Sequence, residues 1–301
     1  MVRIARPVGV LIAAIAAVIP ATSVFAAPAA TSTTLYNSMA PAPGNLPSIG
    51  FEATQAAEFG NAITLTHSAK LATVVVTMDS WGCQTGSWNG PTPCHTNAGA
   101  KFNEPITLNI YQAPATDPRT QTDAVGSGLP GALIVSVTKT FAIPYRPSAN
   151  STKCVGDEAG DWFDAKLGEC FPGMATNITF NLTSLKLTLP THIVYGIAYN
   201  TSDYGADKYG DNTACHATSE GCGYDSLNVG LTQDPDNLNV GADTYPGYVY
   251  WNTQTAGNYC DSGGAGTGTF RFDSPSTAVC WGVDSATGGP WYIPSVAFNA
   301  T

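Results

Sequence analysis

In the stretch ITLNIYQ, the apolar residues Ile106, Leu108 and Ile110 alternate strictly with Thr107, Asn109 and Tyr111. A period of two fits an extended strand with one face buried and one wet, because successive side chains leave opposite faces of the chain. The beat recurs along the sequence. Ala72, Val74, Val76 and Met78 share one face of LATVVVTMDSW, and ALIVSVTKTF, HIVYGIAYN, SLNVGL, GYVYWN, TGTFRF and SVAFNA read as further strands. In NITFNLTSLKLTLP the face holding Ile178, Phe180 and Leu182 gives way to Leu185, Leu187 and Leu189. That change of phase requires a bulge or a turn near Thr183-Ser184. No long stretch keeps apolar residues at helical spacing. Short strands between long polar loops predict an all-β, jelly-roll-like β-sandwich. Its first strand is expected near Ile49 to Thr54, paired with the last at Pro294 to Ala300.

The first residues belong to a different class. Arg3 and Arg6 precede a short apolar run, Val8 to Ile19, and Val24-Phe25-Ala26 has the small residues of a cleavage site. Residues 1–26 are therefore expected to be a signal peptide, too short in its apolar part for the about 20 residues of a spanning helix. Residues 27–34 read as a flexible small-residue lead-in, and 35–301 as a single β-sandwich domain. No second long apolar run follows, so a secreted, extracellular protein without a membrane span is expected.

Export bears on the 8 cysteines. Outside the cell they are expected to be oxidised, and no C-x2-4-C pair suited to zinc occurs. They fall in neighbouring pairs inside Gly-, Pro- and Asn-rich stretches. The expected bridges are Cys83–Cys94, Cys154–Cys170, Cys215–Cys222 and Cys260–Cys280, each closing one loop.

The charge balance is acidic, with 12 Lys+Arg against 22 Asp+Glu. Loss of Arg3 and Arg6 with the leader takes the formal charge from −10 to −12. Nucleic acid and anionic membranes are thereby disfavoured, since both need a basic patch. Acidic clusters at Asp157, Glu158, Asp161, Asp164 and Glu169, and at Asp234, Asp236 and Asp243, make structural calcium the one ion to consider. Neither cluster has the spacing of a D-x-D-x-D-G loop, and no other cofactor is indicated.

Three sets of residues could carry chemistry. Asp261-Ser262-Gly263-Gly264 has the look of a serine-protease nucleophile motif, but the usual histidine context is missing, so a plain loop beside Cys260 is expected. Paired carboxylates could hydrolyse a glycoside, and Glu52, Glu58 and Asp79 lie in the β-rich N-terminal part. Tryptophans on stapled loops could stack on sugars. Trp88 sits inside the first expected cystine loop and Trp162 inside the second, and Trp251 joins them as a third candidate ring. The bland alternative is that such rings cover the ends of a sandwich.

SIGFEATQAAEFGNAITL, LATVVVTMDSWGC, ITLNIYQ, YGIAYNTSDYG, YDSLNVGL and YIPSVAFNA occur in this order. The pattern resembles a group of secreted actinobacterial proteins of uncharacterised function, related to jelly-roll domains of bacterial surface proteins with varied anchors. The resemblance spans most of the chain after the leader. It implies a β-sandwich outside the cell and brings no catalytic residue. Together these features favour a non-catalytic binding or surface-interaction protein, with extracellular polysaccharide or cell-wall glycan as partner. The alternatives are a polysaccharide hydrolase with paired carboxylates and a structural wall- or spore-associated protein.

Overall fold

The computed structural model describes residues 33–40, 46–88, 90, 92–121, 124–199, 227–234, 238–273 and 291–301, with backbone alone for Glu52, Ala53 and Asp234. They belong to one compact unit, Ser32–Thr301. In chain order the strands are β1 (Thr33–Asn37), β2 (Ser48–Gly50), β3 (Ala56–Thr64), β4 (Ala69–Ser80), β5 (Lys101–Gln112) and β6 (Leu133–Pro144). Next come β7 (Trp162–Asp164), β8 (Glu169–Phe171), β9 (Met174–Asn181), β10 (Thr188–Leu189), β11 (His192–Ala198) and β12 (Leu227–Asp234). The last are β13 (Ala242–Asp243), β14 (Tyr250–Thr253), β15 (Arg271–Phe272), β16 (Trp291–Pro294) and β17 (Val296–Ala300).

Among the described residues, two antiparallel sheets dominate. One has eight strands, with the path β1-β17-β4-β12-β16 and with β2, β9 and β10 attached to β12 or β4. The other has seven, with the path β15-β14-β3-β11-β5-β6 and β13 on β3. The alternation read from the sequence decides which faces meet. Val74, Val76 and Met78 of β4 and Phe298 of β17 point inward against Phe59 and Ile63 of β3, Ile106, Leu108 and Ile110 of β5 and Trp251 of β14, all in one buried cluster. The phase change after Leu182 is a 3-10 turn, Thr183–Leu185, closed by Lys186 in the left-handed region.

Two expectations need correction. The strand β17 pairs with β1 and β4, not with the segment around Ile49. That segment is split. Ile49 pairs with Val229 of β12, and the chain then turns through one helical turn, Phe51–Thr54. The turn places Phe51 flat against Tyr199, ring centroids 4.0 Å apart, and Thr54 Oγ1 donates back to the Gly50 carbonyl. The lead-in is also shorter than its composition implied. Thr33 and Thr34 already pair with Ala300 and Asn299, because the adjoining Leu35 and Tyr36 are wholly buried.

Candidate functional site

The loops converge where β4 and β6 end and where β5 and β9 begin. Register fixes this: Ser80 of β4 lies opposite Met174 of β9, and Lys101 of β5 opposite Pro144 of β6. The 81–100 and 145–173 loops are tied together by backbone bonds from Arg146 N–H to the Gly82 carbonyl and from Ala149 N–H to the Cys94 carbonyl. Each loop also carries a disulfide within itself, Cys83–Cys94 and Cys154–Cys170, as expected. Cys260 is also disulfide-bonded. Cys215, Cys222 and Cys280 lie outside the described residues. Neither closed loop is without structure. Ser87 pairs with Pro93 inside the first, and β7 and β8 form a hairpin whose second strand carries Cys170 of the second.

At this junction the tryptophans meet the acids. Trp81 and Trp88 pack edge to face, centroids 4.9 Å apart. Each donates its indole N–H to a carboxylate, Trp81 to Asp79 Oδ2 at 2.7 Å and Trp88 to Asp161 Oδ1 at 2.6 Å. Ser48 Oγ also donates to Asp79 Oδ2 at 2.9 Å, and receives a bond from Asn228 Nδ2 at 3.0 Å. Burial pushes Asp79 up to about 6, against the pull of Trp81, Ser48 and the Arg146 charge. Burial raises Asp161 as well, opposed by the Trp88 bond and Arg146. Arg146 is wholly buried and lowered to about 10 by burial, with Asp161 and Asp79 opposing. It donates from Nη2 to the Gly160 carbonyl at 2.6 Å. Asp79 Oδ1 and Arg146 Nη1 are buried without a hydrogen-bond partner among the described residues. A charge in such surroundings is held in place by its neighbours at a real cost in desolvation.

Beside this cluster lies a cavity of about 380 Å³ walled by the half-buried Trp88 and by Gly90, Pro93, Ala149, Ser151, Ala159 and Gly160. None of these lining side chains is charged. Two glycines are required by close approach. A Cβ on Gly160, which has φ of +95°, would stand 2.2 Å from the Trp88 carbonyl oxygen. One on Gly173 would stand 2.4 Å from Asp79 Oδ1 and 2.5 Å from Trp81 Nε1.

The other candidates fall elsewhere. Trp162 is half-buried, donates to the Gly173 carbonyl at 2.7 Å and packs on Phe171, so it braces the hairpin next to the cluster. Contrary to the expectation, Trp251 is 2% exposed, between Phe59 and Tyr259, and offers no face to a ligand. The alternation of β14 turns Trp251 inward and Tyr250 outward. Ser262 sits in a left-handed turn. Its neighbour Asp261 is held by buried Arg271 at 2.9 Å and accepts the Gly263 N–H, so it orders the turn and does not orient a base. Among the described residues no three His, Cys, Asp or Glu side chains form a group able to hold a metal ion.

Glu58 and Asp79 are brought to opposite sides of the molecule. Phe59 and Met78 point into the core, so Glu58 lies on the outer face of the seven-stranded sheet and Asp79 on the outer face of the eight-stranded one. Packed sheets stand about 10 Å apart, and a glycosidase pair must lie within about 5–9.5 Å. These two carboxylates cannot form one. The side chain of Glu52 lies outside the described residues. The one signal for Arg146 in the sequence is weak: a lone cation between Pro144 and Pro147, in a chain with few cations. No protein-family model, curated protein or solved structure matches this chain.

Proposed function

We propose that the protein is a secreted, jelly-roll-like β-sandwich that binds extracellular glycan without cleaving it, with a sugar ring stacked on Trp88. One observation carries this: a half-buried indole, locked by Asp161, walls a pocket of about 380 Å³ whose other named lining residues are small or neutral. An aromatic face beside backbone and small side chains suits the apolar face of a sugar, and a ring fixed beforehand loses little entropy when it binds. The two disulfide-closed loops supply that rigidity. Glu58 and Asp79, two of the three acids considered for hydrolysis, lie on the outer faces of different sheets, which weighs against that pair.

The test uses the mature protein on a panel of insoluble polysaccharides, with the supernatant assayed for released sugar. Retention without release is expected. Trp88→Ala should weaken retention by about 1–3 kcal/mol, as for an aromatic anchor, while circular dichroism still shows a folded sandwich. Retention by folded Trp88→Ala equal to wild type, or steady release of soluble sugar, would overturn the proposal.

A further inference from the structure

The two loops that wall the Trp88 pocket enclose a second cavity, of about 380 Å³ like the first. Their inner stretches carry the β5–β6 ladder on past its last rung, where Lys101 lies opposite Pro144. Tyr145 N–H donates to the Ala100 carbonyl, and Ala149 N–H to the Cys94 carbonyl. Between them Ser148 Oγ donates to the Thr96 carbonyl at 3.1 Å and accepts the Thr96 N–H at 2.9 Å. The second cavity lies between residues 96–101 and residues 144–148 of this ribbon, with Met174 also against it. The Trp88 pocket takes over at Pro93 on one stretch and at Ala149 on the other. Ser148 and Ala149 are consecutive, so the two cavities adjoin along the chain.

The second cavity has its own ring. Tyr145 is half-buried, lines the cavity and leans on Phe102, with centroids 4.9 Å apart. Its backbone is tied to Ala100, which closes a turn by donating its N–H to the Asn97 carbonyl. Tyr145 and Ala149 are four residues apart, so their Cα atoms can be separated by at most about 14 Å. At the boundary between the cavities, Cys94 takes the Ala149 bond and is stapled to Cys83. The spacing of the two cavities is thus set by the fold before any ligand arrives. Among the described residues that line them, only Lys101 is charged, and it is exposed.

We propose that this cavity is a second subsite for the same ligand, so that the protein holds a run of several neutral sugars, with one ring on Trp88 and another on Tyr145. The proposal rests on the glycan reading and adds to it the length of chain recognised. An aromatic wall among small and apolar neighbours suits the apolar face of a sugar in the second cavity as in the first. The Lys101 ammonium is a donor for ring hydroxyls at its edge. The scarcity of charge in both linings suits a neutral chain. Two subsites on one rigid ribbon make the second contact intramolecular. Affinity should therefore step up once a ligand is long enough to span both, and a ligand too short to span them should gain nothing from the second.

The experiment is a solution titration of the mature protein with cello-, xylo- and manno-oligosaccharides, each from the disaccharide to the hexasaccharide. In the series that binds, wild type should hold the hexasaccharide at least about tenfold more tightly than the disaccharide. Tyr145→Ala should lose most of that gain while disaccharide affinity stays at the wild-type level. Tyr145→Phe, which keeps the ring, should keep the gain. Ala98→Glu, at an exposed position lining the second cavity, puts a charged chain into it and should act as Tyr145→Ala does, without touching the contact with Phe102. Trp88→Ala should weaken short and long ligands alike. A wild type indifferent to length, or a length gain kept in both Tyr145→Ala and Ala98→Glu, would sink the second subsite, and loss in Trp88→Ala would still leave the glycan reading intact. Failure of the wild type to bind any soluble or insoluble glycan would remove that reading, and this one with it.

Discussion

Asp79 has a measurable consequence at the scale of one residue. Its carboxyl is raised from the ordinary 3.8 to about 6 by burial. The folded state therefore holds this proton more tightly than the unfolded chain does. The contribution is fully present below the unfolded value and is lost as pH rises through about 6. From this group alone the fold should be about 2 kcal/mol less stable at neutral pH than near pH 4. Denaturant melts across that range should show the loss in wild type, and Asp79→Asn should lack this component. A wild-type curve that rises through the same window, with the asparagine variant parallel to it, would contradict the assignment. Trp251 makes the contrasting prediction. Buried between Phe59 and Tyr259, Trp251→Ala should cost about 3–5 kcal/mol of stability, with glycan retention unaltered in the protein that remains folded.

At the scale of elements, the disulfides and glycines hold the loop cluster. Cys83→Ser with Cys94→Ser opens the first loop, and should cost about 2–4 kcal/mol in chemical denaturation. It should also reduce retention on polysaccharide, since Trp88 is then free to move. Gly173→Ala forces a methyl against Asp79 and Trp81, and should cost about 1–3 kcal/mol, read as a lowered Tm. The strands were legible in the sequence because the core demands alternation: β4, β5, β6 and β11 lie where the period of two put them. The phase change at Thr183-Ser184 was legible for the same reason. The segment after Ile49 was not, since a single helical turn leaves too few residues to show a period, and the packing of Phe51 on Tyr199 joins positions far apart in the chain. Trp88 was legible as a loop ring by its place between two cysteines. Its carboxylate partner was not, because the Trp88–Asp161 and Trp81–Asp79 bonds depend on how two loops cross. Trp251 is not a loop ring, because its place in the alternating strand β14 turns it inward.

Across the whole molecule, β4 acts as a ruler. Its Ser80 end feeds the tryptophan cluster, while near its other end Leu71 lies opposite Ala300 and the Thr301 N–H donates to the Lys70 carbonyl. The ten residues from Leu71 to Ser80 set these ends about 30 Å apart. Thr33 of β1 lies opposite Ala300 too, so the two terminal strands begin and finish side by side. This decides how the fold meets mechanical load. Handles at Thr33 and Thr301 would draw the β1–β17 ladder apart one rung at a time from its open end, instead of loading all its rungs at once in shear. In a single-molecule pulling experiment these handles should give a low first rupture that frees β1. A handle pair at Thr33 and the exposed Ser136, which drags across the sandwich, should resist far more.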